Sequence, residues 1–230
     1  MTFIVAEIGI AHEGNIINAK RLVNAAKLAG ASSVKFQMFN CFDHLKRYEF
    51  KKEQWIELFA FCRERRMEFF VTPFDSNAVR FLDRQGQIVW KIPSNPAVVN
   101  NIQLIEQIAK TKNRKLTIIS TGISDDDEIQ WLIDCFADKK VVLLHCISRY
   151  PCPIKKLNLE RIKYLKEKFN LPVGFSDHSI SVTAPLEAVK RGASIIEKHL
   201  TLNRNGGGPD DSSSLEPHQF KRMVEYIRRG

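Results

Sequence analysis

Eight short apolar runs alternate with eight segments of helical periodicity from one end of the chain to the other, and few folds satisfy that pattern. The runs at residues 3–9, 33–38, 68–72, 88–92, 116–120, 141–146, 172–176 and 194–199 read as strands. Between and after them, residues 18–30, 53–65, 77–85, 100–110, 125–137, 159–169, 182–191 and 217–229 carry apolar side chains at helical spacing. Strict strand–helix alternation implies parallel strands joined by right-handed crossovers, because parallel neighbours cannot be linked by a tight turn. Eight such units closing on themselves make an α/β fold, a single TIM (β/α)8 barrel; this architecture takes about 250 residues, close to the 230 here. The competing open doubly wound sheet lacks support, since no GxGxxG opens a helix after the first strand. One barrel domain over residues 1–230 is expected.

Barrel enzymes carry their chemistry at the C-terminal ends of the strands. All eight runs here end in polar residues: Glu7; Lys35 and Gln37; Thr72; Lys91 and Ser94; Ser120 and Thr121; His145 and Ser148; Ser176 and His178; Glu197 and His199. Such side chains inside a barrel are costly without partners, so a full ring of them implies a site. In a strand, residues i and i+2 share a face, so Ser176 and His178 point one way, as do Glu197 and His199. His178 and His199 could bind a divalent metal as neutral imidazoles, or simply hydrogen-bond in the mouth. Lys35 and Lys91 suit a phosphate, a carboxylate or a Schiff base; alternatively Lys35 pairs with Glu7 and reaches solvent. Glu7 and Glu197 are an acid/base pair or structural ion-pair partners. His145 is either catalytic or a hydrogen-bonding group in the mouth. Asp210, after Gly208-Pro209, could reach a sugar hydroxyl or serve as a helix cap. His12 is a weak metal candidate, and His44 and His218 are expected at the surface.

Composition narrows the class further. The net charge of +9 suits anionic small molecules or a solvated basic surface, and no nucleic-acid recognition motif accompanies it. No apolar run approaches the roughly 20 residues that cross a bilayer. The N-terminus lacks a basic n-region and reaches Glu7 too soon for a signal peptide, so a cytoplasmic protein is expected. Five scattered cysteines without a CxxC read as reduced thiols.

Taken together, several stretches resemble the sialic acid synthase family, which includes N-acetylneuraminate, legionaminate and pseudaminate synthases. They are Ala6-Glu7-Ile8-Gly9-Ile10-Ala11-His12-Glu13-Gly14, Val34-Lys35-Phe36-Gln37, Thr72-Pro73-Phe74-Asp75, Lys91-Ile92-Pro93-Ser94, Ser120-Thr121-Gly122, Leu144-His145-Cys146, Tyr150-Pro151, Gly174-Phe175-Ser176-Asp177-His178, Glu197-Lys198-His199 and Gly208-Pro209-Asp210. The resemblance implies a TIM barrel that condenses phosphoenolpyruvate with an N-acylated aminosugar, releasing phosphate and a nonulosonate. By that resemblance His178 and His199 ligate a divalent metal, manganese or magnesium. Lys35, Thr72, Lys91, Ser94, Ser120 and Ser176 hold phosphoenolpyruvate. Glu7, Gln37, Glu197 and His145 serve the chemistry, and Tyr150 and Asp210 contact the sugar. The alternatives are a related synthase acting on another aldehyde or a phosphosugar, and a barrel that binds a sugar or partner without catalysis.

Three features depart from the family pattern. Only residues 38–52 separate Gln37 from the next helix, where the family has a longer cover over the sugar. At the fourth strand, Pro96 stands where the family has a carboxylate for the sugar. The C-terminal antifreeze-like domain of the family has no counterpart before Gly230; with the other two departures, this leads us to expect a different acceptor, a separate protein supplying the lid, or weak activity, and a homo-oligomer is a further expected partner state.

Overall fold

The computed structural model describes residues 2–39 and 43–230. Its strands are β1 (Phe3–Gly9), β2 (Ser33–Met38), β3 (Glu68–Pro73), β4 (Val89–Ile92), β5 (Leu116–Ser120), β6 (Lys140–Cys146), β7 (Val173–Asp177) and β8 (Ile195–His199). The helices are α1 (Ile16–Leu28), α2 (Lys52–Glu64), α3 (Ser76–Arg84), α4 (Pro96–Val99), α5 (Ile102–Ala109), α6 (Asp126–Phe136), α7 (Glu160–Phe169), α8 (Ala184–Lys190) and α9 (Pro217–Arg229). All eight strands are parallel, in the order β3-β2-β1-β8-β7-β6-β5-β4. The first and last strands are therefore neighbours, with Glu7 opposite His199. This is the (β/α)8 barrel expected from the alternation.

The helix expected at 100–110 is α5, and a further short helix, α4, precedes it, because two asparagines each start a helix. Asn95 caps α4 by accepting from the Ala97 N–H at 2.9 Å, and Asn101 caps α5 by accepting from the Leu104 N–H at 3.0 Å.

Between β3 and β4 no backbone ladder forms. The buried side-chain amide of Gln87 stands in for a strand residue at this seam. Its Oε1 accepts from the Val71 N–H at 2.8 Å, and its Nε2 donates to the Val71 carbonyl at 2.9 Å. Two backbone groups that the missing ladder would leave unpaired are thus satisfied.

Period-2 alternation along each strand sorts the side chains into two layers. Val5, Phe70, Ile118, Val142, Leu144 and Ile195 plug the barrel interior. Their neighbours in sequence, such as Ile4, Val71, Ile119, Leu143 and Ile196, face outward and pack under the helices. The β7–β8 contact needs a glycine: a Cβ on Gly174 would lie 2.5 Å from the Ile195 carbonyl oxygen. One or two positions above the apolar plug the inward residues turn polar, and that change marks the mouth.

The layer rule corrects one expectation. His145 is paired with Phe175 and stacks on its ring, with centroids 5.7 Å apart, on the outer face of the barrel. Its Nε2 donates to the Leu157 carbonyl at 2.7 Å. It does not face the mouth; Cys146, one residue on, does. Cys41 lies outside the described residues, and the other four cysteines are free thiols. Among the described residues no helix is long and apolar enough to cross a membrane.

Candidate active site

A cavity of about 390 Å³ opens at the C-terminal ends of the strands. Its floor holds two lysines and two carboxylates taken out of water. Lys35 Nζ lies 2.7 Å from Glu7 Oε2 and 3.6 Å from Glu197 Oε2, and it donates to Thr72 Oγ1 at 3.3 Å. Gln37 Nε2 donates to Glu7 Oε1 at 2.9 Å, and Ser176 Oγ donates to Glu197 Oε1 at 2.9 Å. Lys91 Nζ donates to Ser120 Oγ at 2.7 Å and to the Ile92 carbonyl at 3.0 Å.

Electrostatics keeps this cluster ionised unevenly. Burial works against the Glu197 carboxylate, but Lys35 and then Lys91 outweigh it and hold its pKa down at about 2. Burial also disfavours the Lys35 ammonium, yet Glu197 and Glu7 carry its pKa above the ordinary lysine value. Lys91 goes the other way: burial lowers its pKa, and Glu197 only partly restores it. Among the described residues Lys91 has no carboxylate within ion-pair distance, which suits it to an incoming anion.

Beside Lys91, the backbone of Gly122 lines a cradle. A Cβ there would come within 2.6 Å of Cys146 Sγ, 2.8 Å of Ser148 Oγ and 2.9 Å of Ser94 Oγ. Ser94 and Ser148 hydroxyls are 2.9 Å apart. The absent side chain keeps hydroxyls exposed where anion oxygens could be received.

Two imidazoles line the same cavity, with His178 Nε2 3.4 Å from Ser176 Oγ of the floor. Their ring centroids are 5.6 Å apart. His178 Nδ1 donates to the Ile147 carbonyl at 2.7 Å, so the Nε2 lone pair points into the cavity. Burial, with neighbouring His199, lowers the His178 pKa to about 3, which keeps the ring neutral. A neutral imidazole with a fixed tautomer is the form that ligates a metal, so His178 fits a divalent ion. Here Tyr150 stacks on His178 at 4.1 Å, and its hydroxyl donates to Nε2 at 3.1 Å. His199 Nδ1 lies 3.8 Å from Asp210 Oδ2. Among the described residues no group of three or more His, Cys, Asp or Glu side chains forms a complete cage, so water or substrate would have to fill the other positions.

Of the residues marked in the sequence, Glu7, Lys35, Gln37, Lys91, Ser94, Ser120, Tyr150, Ser176, His178, Glu197, His199 and Asp210 line the one cavity. Thr72 stands behind Lys35. His145 is on the far side of the wall. His12 is buried under Phe50, 4.1 Å between centroids, with Nδ1 accepting from the Gly14 N–H at 3.1 Å. It lies outside the cavity lining, whereas exposed His44 is part of it. Sequence reasoning missed Cys146, which alternation from Val142 and Leu144 would have found, and the apolar rim of Ile10, Leu45, Phe74, Pro93 and Pro209.

A parallel barrel with buried charges, hydroxyls and imidazoles gathered at the C-terminal mouth has the build of a barrel enzyme. The comparisons with known proteins agree with that class and narrow it. The NeuB family matches residues 40–230, and the chain belongs to the NeuB family. It is 39% identical to an uncharacterized protein of Methanocaldococcus jannaschii, over 99% of this chain and 70% of that protein. It is 34% identical to the N,N'-diacetyllegionaminic acid synthase of Campylobacter jejuni, over 99% of this chain and 76% of that one. Among solved structures, the N-acetylneuraminic acid (sialic acid) synthetase of Leptospira borgpetersenii, in complex with citrate, superposes with a TM-score of 0.92 at 34% identity, covering 99% of this chain and 83% of that one.

Proposed function

We propose that this chain joins phosphoenolpyruvate to the aldehyde of an open-chain N-acylated aminosugar, releasing phosphate and a sialic-acid-like 2-keto acid. The observation that carries the reading is the floor: buried Lys35 between two buried carboxylates, with buried Lys91 and a pair of imidazoles lining the same cavity. Lys91, Ser120, Ser94 and the Gly122 cradle bind the phosphate and carboxylate of phosphoenolpyruvate, with Lys35, Thr72 and Ser176 completing the anion site. Carbon 3 bonds to the aldehyde carbon, whose oxygen gains a proton. Water adds at carbon 2, and the bond from that carbon to the phosphate oxygen breaks. Glu7, Gln37 and Glu197 orient the water and stabilise the positive charge that develops at carbon 2. Tyr150 and Asp210 hold the sugar. A divalent ion, manganese or magnesium, held by His178 and His199 would polarise the aldehyde as a Lewis acid.

The test is phosphate release from phosphoenolpyruvate over a panel of N-acyl hexosamines with manganese. Release with one acceptor, abolished in a folded His199→Ala variant, is the expected result. Bound phosphoenolpyruvate with no release for any aldehyde would leave a binding barrel instead. Pro96 supports a second reading, a synthase for a different aldehyde: it opens α4 beside Asn95 in the cavity wall, where the resembled family has a sugar-binding carboxylate.

A further inference from the structure

Resting on that reading, we propose that Asp177 and Lys198 are positioning residues: a buried ion pair on the back of the barrel wall that sets the spacing and aim of the His178 and His199 imidazoles. Asp177 lies between Ser176 and His178, and Lys198 between Glu197 and His199. Alternation turns both outward, and neither lines the cavity. Lys198 Nζ donates to Asp177 Oδ2 at 2.7 Å, with both side chains at 0% exposure.

The pair sits where the sheet stops holding the two strands together. The β7–β8 ladder ends with Ser176 opposite Glu197 and Asp177 opposite Lys198. His178 and His199, the residues that follow, share no ladder pair. Ser176 and Glu197 join the two strand ends on the cavity side at 2.9 Å, and the ion pair joins them behind. The pair also holds the chain on both sides of His178. Asp177 Oδ1 accepts from the Ser179 N–H at 2.8 Å, Asp177 Oδ2 accepts from the Ser179 hydroxyl at 3.1 Å, and Lys198 Nζ donates to the Ser179 carbonyl. Packing alone does not call for charge here. Phe175 and Ile196, two residues earlier on the same outward face, are apolar core. A buried ion pair is often no more stabilising than well-packed apolar side chains of similar volume. What it adds is direction, because charge-assisted hydrogen bonds fix an orientation that methyl groups do not.

The experiment replaces the pair as a unit, Asp177→Leu with Lys198→Met, so that no charge is stranded. Urea melts report the fold, and calorimetry on metal-free protein measures manganese and phosphoenolpyruvate binding separately. Manganese affinity should fall at least about tenfold, as when groups that orient metal ligands are lost. Phosphoenolpyruvate, held mainly by Lys35, Lys91 and Ser120, should bind within about threefold of the parent. Unchanged manganese affinity in the folded double variant overturns the inference, and so does an equal loss for both ligands, which would make the pair a general brace of the mouth. Asp177→Asn keeps the side-chain volume and an acceptor for the Ser179 N–H, and it should weaken manganese in the same direction. Parental manganese affinity in that variant overturns the inference even if the double variant unfolds. Manganese binding absent from the parent, or unchanged in folded His199→Ala, sinks the metal assignment of the proposed function and this inference with it.

Discussion

Replacing Lys35 by methionine should destabilise the barrel more than replacing either carboxylate it serves. At an effective dielectric of about 20, its attraction to Glu7 at 2.7 Å is about 6 kcal/mol and to Glu197 at 3.6 Å about 5 kcal/mol, both gross values offset largely by desolvation. Lys35→Met removes both attractions and leaves two buried carboxylates facing each other. The net cost is about 3–5 kcal/mol, the usual range for stranding one side of a buried ion pair. Glu7→Gln costs less, about 1–3 kcal/mol, because Lys35 keeps Glu197 and the new amide oxygen can still accept from Gln37. The double variant should be no worse than Lys35→Met alone, a coupling of at least about 1 kcal/mol. Urea denaturation at pH 7.5, with m-values compared, measures all three. The acid side supplies a second reading. Without Lys35 a buried carboxylate has a folded pKa above its unfolded one, so its contribution is fully present below the unfolded value and lost as pH rises through the folded value. Lys35→Met should therefore regain stability relative to the parent as pH falls toward 5. Strictly additive costs, or a Glu7→Gln variant less stable than Lys35→Met, would refute the shared-cation picture.

Other perturbations probe the remaining parts. Gly122→Ala places a methyl among Cys146, Ser148 and Ser94, and calorimetry should show phosphoenolpyruvate binding weakened at least about tenfold; unchanged affinity would remove the cradle from the anion site. Tyr150→Phe frees His178 Nε2 from a 3.1 Å hydrogen bond, so manganese binding should tighten about 2–10-fold, and weaker binding would instead make the phenol a helper of the metal. Gln87→Leu strands the Val71 N–H and carbonyl at the β3–β4 seam and should cost about 2–5 kcal/mol in urea melts; a loss under about 1 kcal/mol would mean the seam heals by itself. Burial lowers the His12 pKa to about 3, below the ordinary histidine value of 6.5. The unfolded chain takes up a proton first, so this contribution is full above pH 6.5 and is lost as pH falls toward 3. His12→Gln should bind about one proton fewer on unfolding at pH 5, measured by titration, and equal uptake would contradict it.

Strand register is what made the barrel and most of its mouth readable. Each run is short and apolar, and each ends in a polar residue at the same height, so topology and candidate residues came from one pattern. The same register explains the error at His145. A polar residue at the end of a run has two faces to choose from, and its chemistry does not say which. Counting in twos from Leu144 puts Cys146 inside and His145 against Phe175. The short α4 before the helix expected at 100–110 was also written in the chain, in its cap Asn95 ahead of Asn101, but helical periodicity reads past a cap unless its side chain is followed to a backbone N–H. Gln87 was not legible at all. Its role depends on Val71, sixteen residues earlier, lacking a strand partner, and that is a fact of closure rather than of local pattern.

The two halves of the cavity accordingly follow different rules. The floor is set by strand ends locked in register by the ladders between neighbouring strands, and every floor charge has its partner on another strand: Glu7 with Lys35, Lys35 with Glu197, Lys91 with Ser120. Changing one member strands the others, so the floor tolerates little variation and its chemistry travels with the fold. The rim comes from loops and one short 3-10 helix (Asp43–Tyr48), through Ile10, Leu45, Phe74, Pro93 and Asn95. Substitution at its loop positions that are not also core, such as Asn95, changes mainly what the acceptor meets, whereas Ile10 and Phe74 are buried in the core as well. Pro96 sits in that freer half. The proposed anion site and imidazole pair thus lie in the half held by strand register, and the proposed acceptor contacts in the half that is not.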